Sequence, residues 1–165
     1  MNKTDLKLYA ITDRQWLHGA RLSEHVKLAI EGGATMIQIR DKDILSTDSD
    51  AGLKDEYNEA LEIKRICHEH NVPLIINDNV QFAIDIDADG VHLGQDDMNP
   101  AEARNLLGTD KIIGVTAKTV EQAKRAEADG ADYLGSGAVF GSTTKLNAKP
   151  MTKELLSEIT AAVDI

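Results

Sequence analysis

Five apolar runs in this 165-residue chain end, at their last residue or just past it, in polar side chains. The run opened by Met36 closes on Gln38-Ile39-Arg40-Asp41-Lys42, and Asn77-Asp78 follows Pro73-Leu74-Ile75-Ile76. His92 and Gln95-Asp96-Asp97 follow Gly90-Val91, Thr116 follows Ile112-Ile113-Gly114-Val115, and Ser142-Thr143-Thr144-Lys145 follows the run from Tyr133 to Phe140. The runs are short and apolar on both faces, the pattern of parallel strands covered on either side by helices. Cations and carboxylates at successive strand ends are what an eightfold α/β barrel uses to build a site on one face.

Strand-like and helix-like segments alternate along the chain. Strands are predicted over 7–12, 36–40, 73–77, 90–93, 111–116 and 133–136, and helices over 23–31, 54–70, 79–84, 99–107, 120–129 and 153–162. Asn99-Pro100 reads as an N-cap with proline in the first helical position, and Thr119 and Thr152 as caps of the last two helices. A helix end, a Gly/Ala/Asp turn and a strand recur at 31–36 and 129–133, with 87–91 similar, and glycine in those turns permits a left-handed helix exit. Repeated units of this kind favour a parallel sheet with right-handed crossovers. The expectation is one (β/α) barrel domain over residues 1–165. Six units are counted, with a seventh strand beginning at Asp164-Ile165, whereas a closed barrel has eight. The chain therefore reads as a barrel truncated after six units. A doubly wound open sheet suits the length, but Thr12-Asp13-Arg14-Gln15 stands where its glycine-rich phosphate loop would be.

The composition, 42% hydrophobic and 28% charged, is that of a soluble globular protein, and the formal net charge of −10 argues against nonspecific nucleic-acid binding. It leaves room for a small phosphorylated ligand, because local cations outweigh a distant field. No apolar run approaches ~18 residues, so no membrane span is expected. The N-terminus leads straight into a strand without a signal-peptide core, which makes the cytoplasm the default. The single cysteine, Cys67, excludes an internal disulfide and reads as a packed thiol within a helix.

Arg40, Lys42 and Lys145 suit a diphosphate, the guanidinium as a planar fork and the ammonium groups as point charges. Arg40 and Lys42 equally suit a solvated loop. Gln38 lies inside an apolar strand, where an amide needs a partner: a ligand ring, or the backbone of a neighbouring strand. Asp78 and Asp97, each after a strand, fit Mg²⁺ completed by substrate oxygens and water, or else caps of the helices that start near Asn79 and Pro100. Asn77 can donate to a phosphate or form a turn. His92, a lone histidine in a strand, reads as a satisfied core residue or a catalyst. His18, His25, His68 and His70 read as loop or helix-surface residues with no metal spacing. The loop 135–145, with Ser142, Thr144 and Lys145, suits a mobile anion-binding lid or a plain flexible connection.

In this order and spacing the chain resembles the thiamine phosphate synthase family. The motifs that carry the resemblance are Tyr9-Ala10-Ile11-Thr12-Asp13, Gln38-Ile39-Arg40-Asp41-Lys42, Leu74-Ile75-Ile76-Asn77-Asp78, Gly90-Val91-His92-Leu93-Gly94-Gln95-Asp96-Asp97, Ile113-Gly114-Val115-Thr116 and Ala131-Asp132-Tyr133-Leu134-Gly135. The resemblance implies a cytoplasmic transferase that condenses hydroxymethylpyrimidine diphosphate with thiazole phosphate and releases pyrophosphate through a dissociative, carbocation-like substitution. By that analogy Arg40, Lys42, Asn77 and Lys145 hold the diphosphate with Thr116 beside it, Asp78 and Asp97 hold Mg²⁺, Gln38 and His92 face the pyrimidine, and Ser142 and Thr144 contact the thiazole phosphate. Lys145, Arg40 and Thr116 then form the catalytic group.

Three positions depart from the family pattern. Lys118 stands where the family commonly has His, Gly141-Ser142 replaces Pro-Thr, and the glycine-rich amides of a seventh and eighth strand end have no counterpart before Ile165. The competing readings are an incomplete barrel fragment that binds the pyrimidine diphosphate without turnover, and a thiazole tautomerase-like relative. An unpaired sixth-strand edge favours association of copies into a homo-oligomer.

Overall fold

The computed structural model describes residues 1–40, 50–140 and 150–165, with backbone alone at 50–53. Its strands are β1 (Tyr9–Ile11), β2 (Met36–Ile39), β3 (Leu74–Asn77), β4 (Gly90–Leu93), β5 (Ile112–Thr116) and β6 (Tyr133–Gly135). The helices are α1 (Leu22–Glu31), α2 (Asp50–Glu69), α3 (Val80–Asp85), α4 (Pro100–Leu107), α5 (Val120–Ala128) and α6 (Lys153–Ala161). Each element lies where the apolar pattern predicts it, within a few residues at either end. Two short 3-10 turns, Lys3–Leu6 and Arg14–Trp16, are additional, so the N-terminus does not lead straight into β1. Nor does a seventh strand begin at Asp164-Ile165; the Asp164 N–H instead donates to the Glu127 carboxylate at 2.7 Å, beyond the end of α6.

The strand order is that of the chain, β1-β2-β3-β4-β5-β6. Two compact units, Met1–Val91 and His92–Ile165, are distinguished by their internal contacts. In the first, β1, β2 and β3 pair in parallel, with Ile11 opposite Gln38 and Ile39 opposite Ile76. All four residues of β2 and the first three of β3 are buried, as a sheet covered on both faces requires. In the second, β5 and β6 pair in parallel, and Ala117, Ala123, Met151 and Ile159 form a buried cluster flanked by Val120, Leu134, Leu155 and Leu156.

Helix starts follow the expected chemistry. Asn99 accepts from the N–H groups of Ala101 and Glu102, Thr119 from Gln122, and Thr152 from Leu155. Helix exits share one geometry. The N–H groups of Ala34, Val72, Ala88 and Ala131 each reach the carbonyl five residues back, across a left-handed residue at Gly33, Asn71, Asp87 and Gly130. In the turn before β4 the left-handed position is thus Asp87, at φ 52°, and not a glycine. Aspartate tolerates that region, whereas Gly90 already belongs to the strand.

A polar side chain then fastens each of three strands to an earlier one. Thr35 Oγ1 accepts from the Leu8 N–H at 2.9 Å, Asp89 Oδ2 from Leu74 at 2.8 Å, and Asp132 Oδ2 from Ile113 at 2.8 Å. These clamps occupy the amino-terminal ends of the strands and leave the carboxyl-terminal ends to other side chains.

Candidate active site

At the carboxyl-terminal ends the first unit presents Arg40, one residue past β2, Asn77 as the last residue of β3, and Asp78 just after it. The Arg40 N–H donates to Thr12 Oγ1 at 3.0 Å, which ties the residue after β2 to the residue after β1. Gln38 is 2% exposed and donates from Nε2 to the Tyr9 hydroxyl at 2.7 Å. Its partner is therefore a side chain one strand away, and not strand backbone.

Asp78 is exposed, and its backbone sits at φ 63°. The cap of α3 is Asn79, which accepts from the Phe82 N–H, while Asp78 Oδ2 accepts from Asn77 Nδ2 at 2.6 Å. As at Asp87, aspartate tolerates this left-handed region, though glycine adopts it more readily.

In the second unit His92, half-buried on β4, lies between two hydroxyls. Its Nδ1 is 3.1 Å from Tyr133 Oη and its Nε2 is 3.0 Å from Thr116 Oγ1. Gln95 Nε2 donates to the Thr116 carbonyl at 2.6 Å. Asp97 does not cap α4, a role held by Asn99; its Oδ2 accepts from the Gly94 N–H at 2.6 Å. Gln95 and Asp97 line a cleft of about 130 Å³ with Asn99, Gln122 and Arg125. Asp96 and Lys118 are exposed, as are His18, His68 and His70, while His25 is half-buried.

The structure therefore brings together Arg40 with Thr12, Asn77 with Asp78, and His92 with Thr116. Lys42, Ser142, Thr144 and Lys145 lie outside the described residues. Tyr9, Thr12 and Tyr133 are the partners that sequence reasoning missed as site residues. For Tyr133 the available signal was a glycine inside an apolar strand, Gly114, which marks close approach of another group.

No group of three His, Cys, Asp or Glu suited to a metal occurs among the described residues. Mg²⁺ bound largely through substrate oxygens needs only one or two carboxylates. Taken separately, Asp78 and Asp97 are each an exposed carboxylate that accepts from a neighbouring N–H, the type of oxygen donor such an ion takes.

Burial pushes the Cys67 thiol up to about 12, with the nearby Asp89 carboxylate adding to the effect and a backbone hydrogen bond opposing it. That is a packed thiol and not a nucleophile.

Parallel βα repeats with polar groups at the carboxyl ends of their strands define an α/β fold of the TIM-barrel-like class. The family described as thiamine monophosphate synthase matches residues 8–165. Thiamine-phosphate synthase of Caldanaerobacter subterraneus subsp. tengcongensis is 44% identical over 165 residues, covering 100% of this chain and 74% of that protein. The protein of the same name from Clostridium novyi is 47% identical over 160 residues, covering 96% of this chain and 75% of that one. The solved thiamine phosphate pyrophosphorylase from Pyrococcus furiosus superposes with a TM-score of 0.82 at 35% identity, covering 98% of this chain and 72% of that chain. The chain belongs to the thiamine monophosphate synthase family and is a transferase of thiamine biosynthesis.

Proposed function

We infer that the chain joins hydroxymethylpyrimidine diphosphate to thiazole phosphate, giving thiamine phosphate and pyrophosphate. Family membership across residues 8–165 carries this reading. It is supported by the position of Arg40, Asn77, Asp78 and Thr116 at or just past the ends of β2, β3 and β5.

The proposed chemistry is dissociative. The bond from the pyrimidine methylene carbon to the diphosphate oxygen breaks with its electron pair on oxygen. The aminopyrimidine ring spreads the positive charge left behind, and the thiazole nitrogen donates the electron pair of the new bond. Arg40, Lys42, Asn77 and Lys145 stabilise the departing charge, with the Thr116 hydroxyl as a further donor. Asp78 and Asp97 would hold Mg²⁺, which supplies neutralisation of the diphosphate charge. Gln38 and His92 orient the pyrimidine, and Ser142 and Thr144 receive the thiazole phosphate. No protein nucleophile is required, and exclusion of water would protect the cation from hydrolysis.

Residues 1–165 are proposed to belong to a single (β/α) barrel domain. Cytoplasmic location and self-association belong to the same proposal, checked by cell fractionation and analytical ultracentrifugation. Among the described residues no helix is long and apolar enough to cross a membrane.

The test is pyrophosphate release with both substrates. It should require Mg²⁺ and fall at least a hundredfold in Lys145→Ala at unchanged far-ultraviolet circular dichroism. Turnover by that variant equal to wild type would overturn the assignment of Lys145.

A further inference from the structure

Two glycines of the second unit are placed so that two rings can meet. Gly114 on β5 lies opposite Tyr133 on β6, and Thr116 lies opposite Gly135. Residues two apart on a strand share a face, so these four residues form one small patch of alternating large and small groups. A Cβ on Gly114 would stand 2.0 Å from Tyr133 Cζ, and one on Gly135 would stand 2.8 Å from His92 Cε1. A side chain at either position would have to displace the ring beside it. Their centroids are 5.6 Å apart, and Tyr133 is 2% exposed.

The resulting chain of groups runs Tyr133 Oη, His92 Nδ1, His92 Nε2, Thr116 Oγ1. In neutral imidazole one nitrogen donates and the other accepts. A phenol is the stronger acid of the two hydroxyls and hence the better donor. With Tyr133 as the donor to Nδ1, the imidazole proton stands on Nε2. Nε2–H donates to Thr116 Oγ1, and the Thr116 proton turns away from His92. All the donors point one way, so each bond polarises the next.

We propose that Tyr133 is a positioning residue for the transfer reaction: it fixes His92 as the Nε2–H tautomer, and His92 in turn presents the Thr116 hydroxyl as a donor to the departing diphosphate. The proposal rests on the reading of Thr116 as a diphosphate contact. It assigns His92 a role beyond facing the pyrimidine, since both ring nitrogens already meet protein hydroxyls.

The experiment is a long-range ¹H–¹⁵N spectrum of the histidine-labelled protein, with His92 assigned by its loss in His92→Gln, together with the kinetics of Tyr133→Phe. In wild type, Nδ1 should resonate as an unprotonated nitrogen and Nε2 as a protonated one. In Tyr133→Phe the His92 tautomers should mix. Turnover should fall about tenfold, the effect of one lost oriented hydrogen bond, while KM for the pyrimidine diphosphate stays within about twofold. A Nδ1–H tautomer in wild type overturns the proposal without any substitution. A slowed Tyr133→Phe with an unchanged tautomer makes Tyr133 a packing residue and also overturns it. Thr116→Val with wild-type turnover sinks the reading of Thr116 itself. A slow Thr116→Val beside a fully active Tyr133→Phe sinks the relay alone.

Discussion

Asp78 carries two demands that conflict. Its carboxylate stands at the end of β3, and its backbone occupies a left-handed region at φ 63° that glycine adopts more readily. Asp78→Gly should therefore leave the thermal unfolding midpoint unchanged or raised, because relief of strain offsets the freer unfolded chain. The same variant should lose at least a hundredfold in pyrophosphate release if the carboxylate assists diphosphate departure. A clear drop in midpoint would refute the strain argument, whatever happens to turnover. The sequence makes Asp78 legible as a strand-end carboxylate, because a polar pair directly after Leu74-Ile75-Ile76 has few other places to go. Its backbone conformation is not legible, since Asp-Asn suits a helix cap equally well. Tyr9 is hidden for a different reason. Its bond to Gln38 depends on the register of β1 against β2, and no spacing within either strand encodes that register.

At the scale of elements, the helix exits and strand clamps form a repeated device, and Arg104 is its most connected part. From α4 the guanidinium donates to the carbonyls of Gly108 and Lys111, to the Gly130 carbonyl, and to Asp132, which in turn accepts from the Ile113 N–H. One side chain thus ties the turns that precede β5 and β6. Arg104→Met should keep the aliphatic packing and lower stability by about 2–3 kcal/mol, read by urea unfolding. Turnover well below the transition should be unaffected, because the clamps lie at the strand ends opposite the candidate site. Loss of activity without loss of stability would contradict that division. The element order was readable because short doubly buried strands, capped helices and turn residues all agree with one another. The clamps were not, because Thr35, Asp89 and Asp132 look like ordinary turn residues until the strands are laid side by side.

For the folded molecule as a whole, Cys67 sets a limit on the alkaline side. Its thiol is raised from an ordinary value of 9.0 to about 12 by burial, with Asp89 contributing. Above pH 9 the unfolded chain releases that proton while the folded chain retains it, so folding stability must fall between pH 9 and 12. Below pH 9 both states carry the proton and the contribution is constant. Cys67→Ala should flatten this part of the stability profile in urea titrations, even where its cavity lowers the curve everywhere. A slope identical to wild type would show that another group governs it. A last consequence follows from the clamps described above. Mutations that rewrite the polar groups after each strand leave the fastening of the opposite ends untouched. Lineages carrying this scaffold are thereby free to drift toward new reactions while inheriting the same architecture.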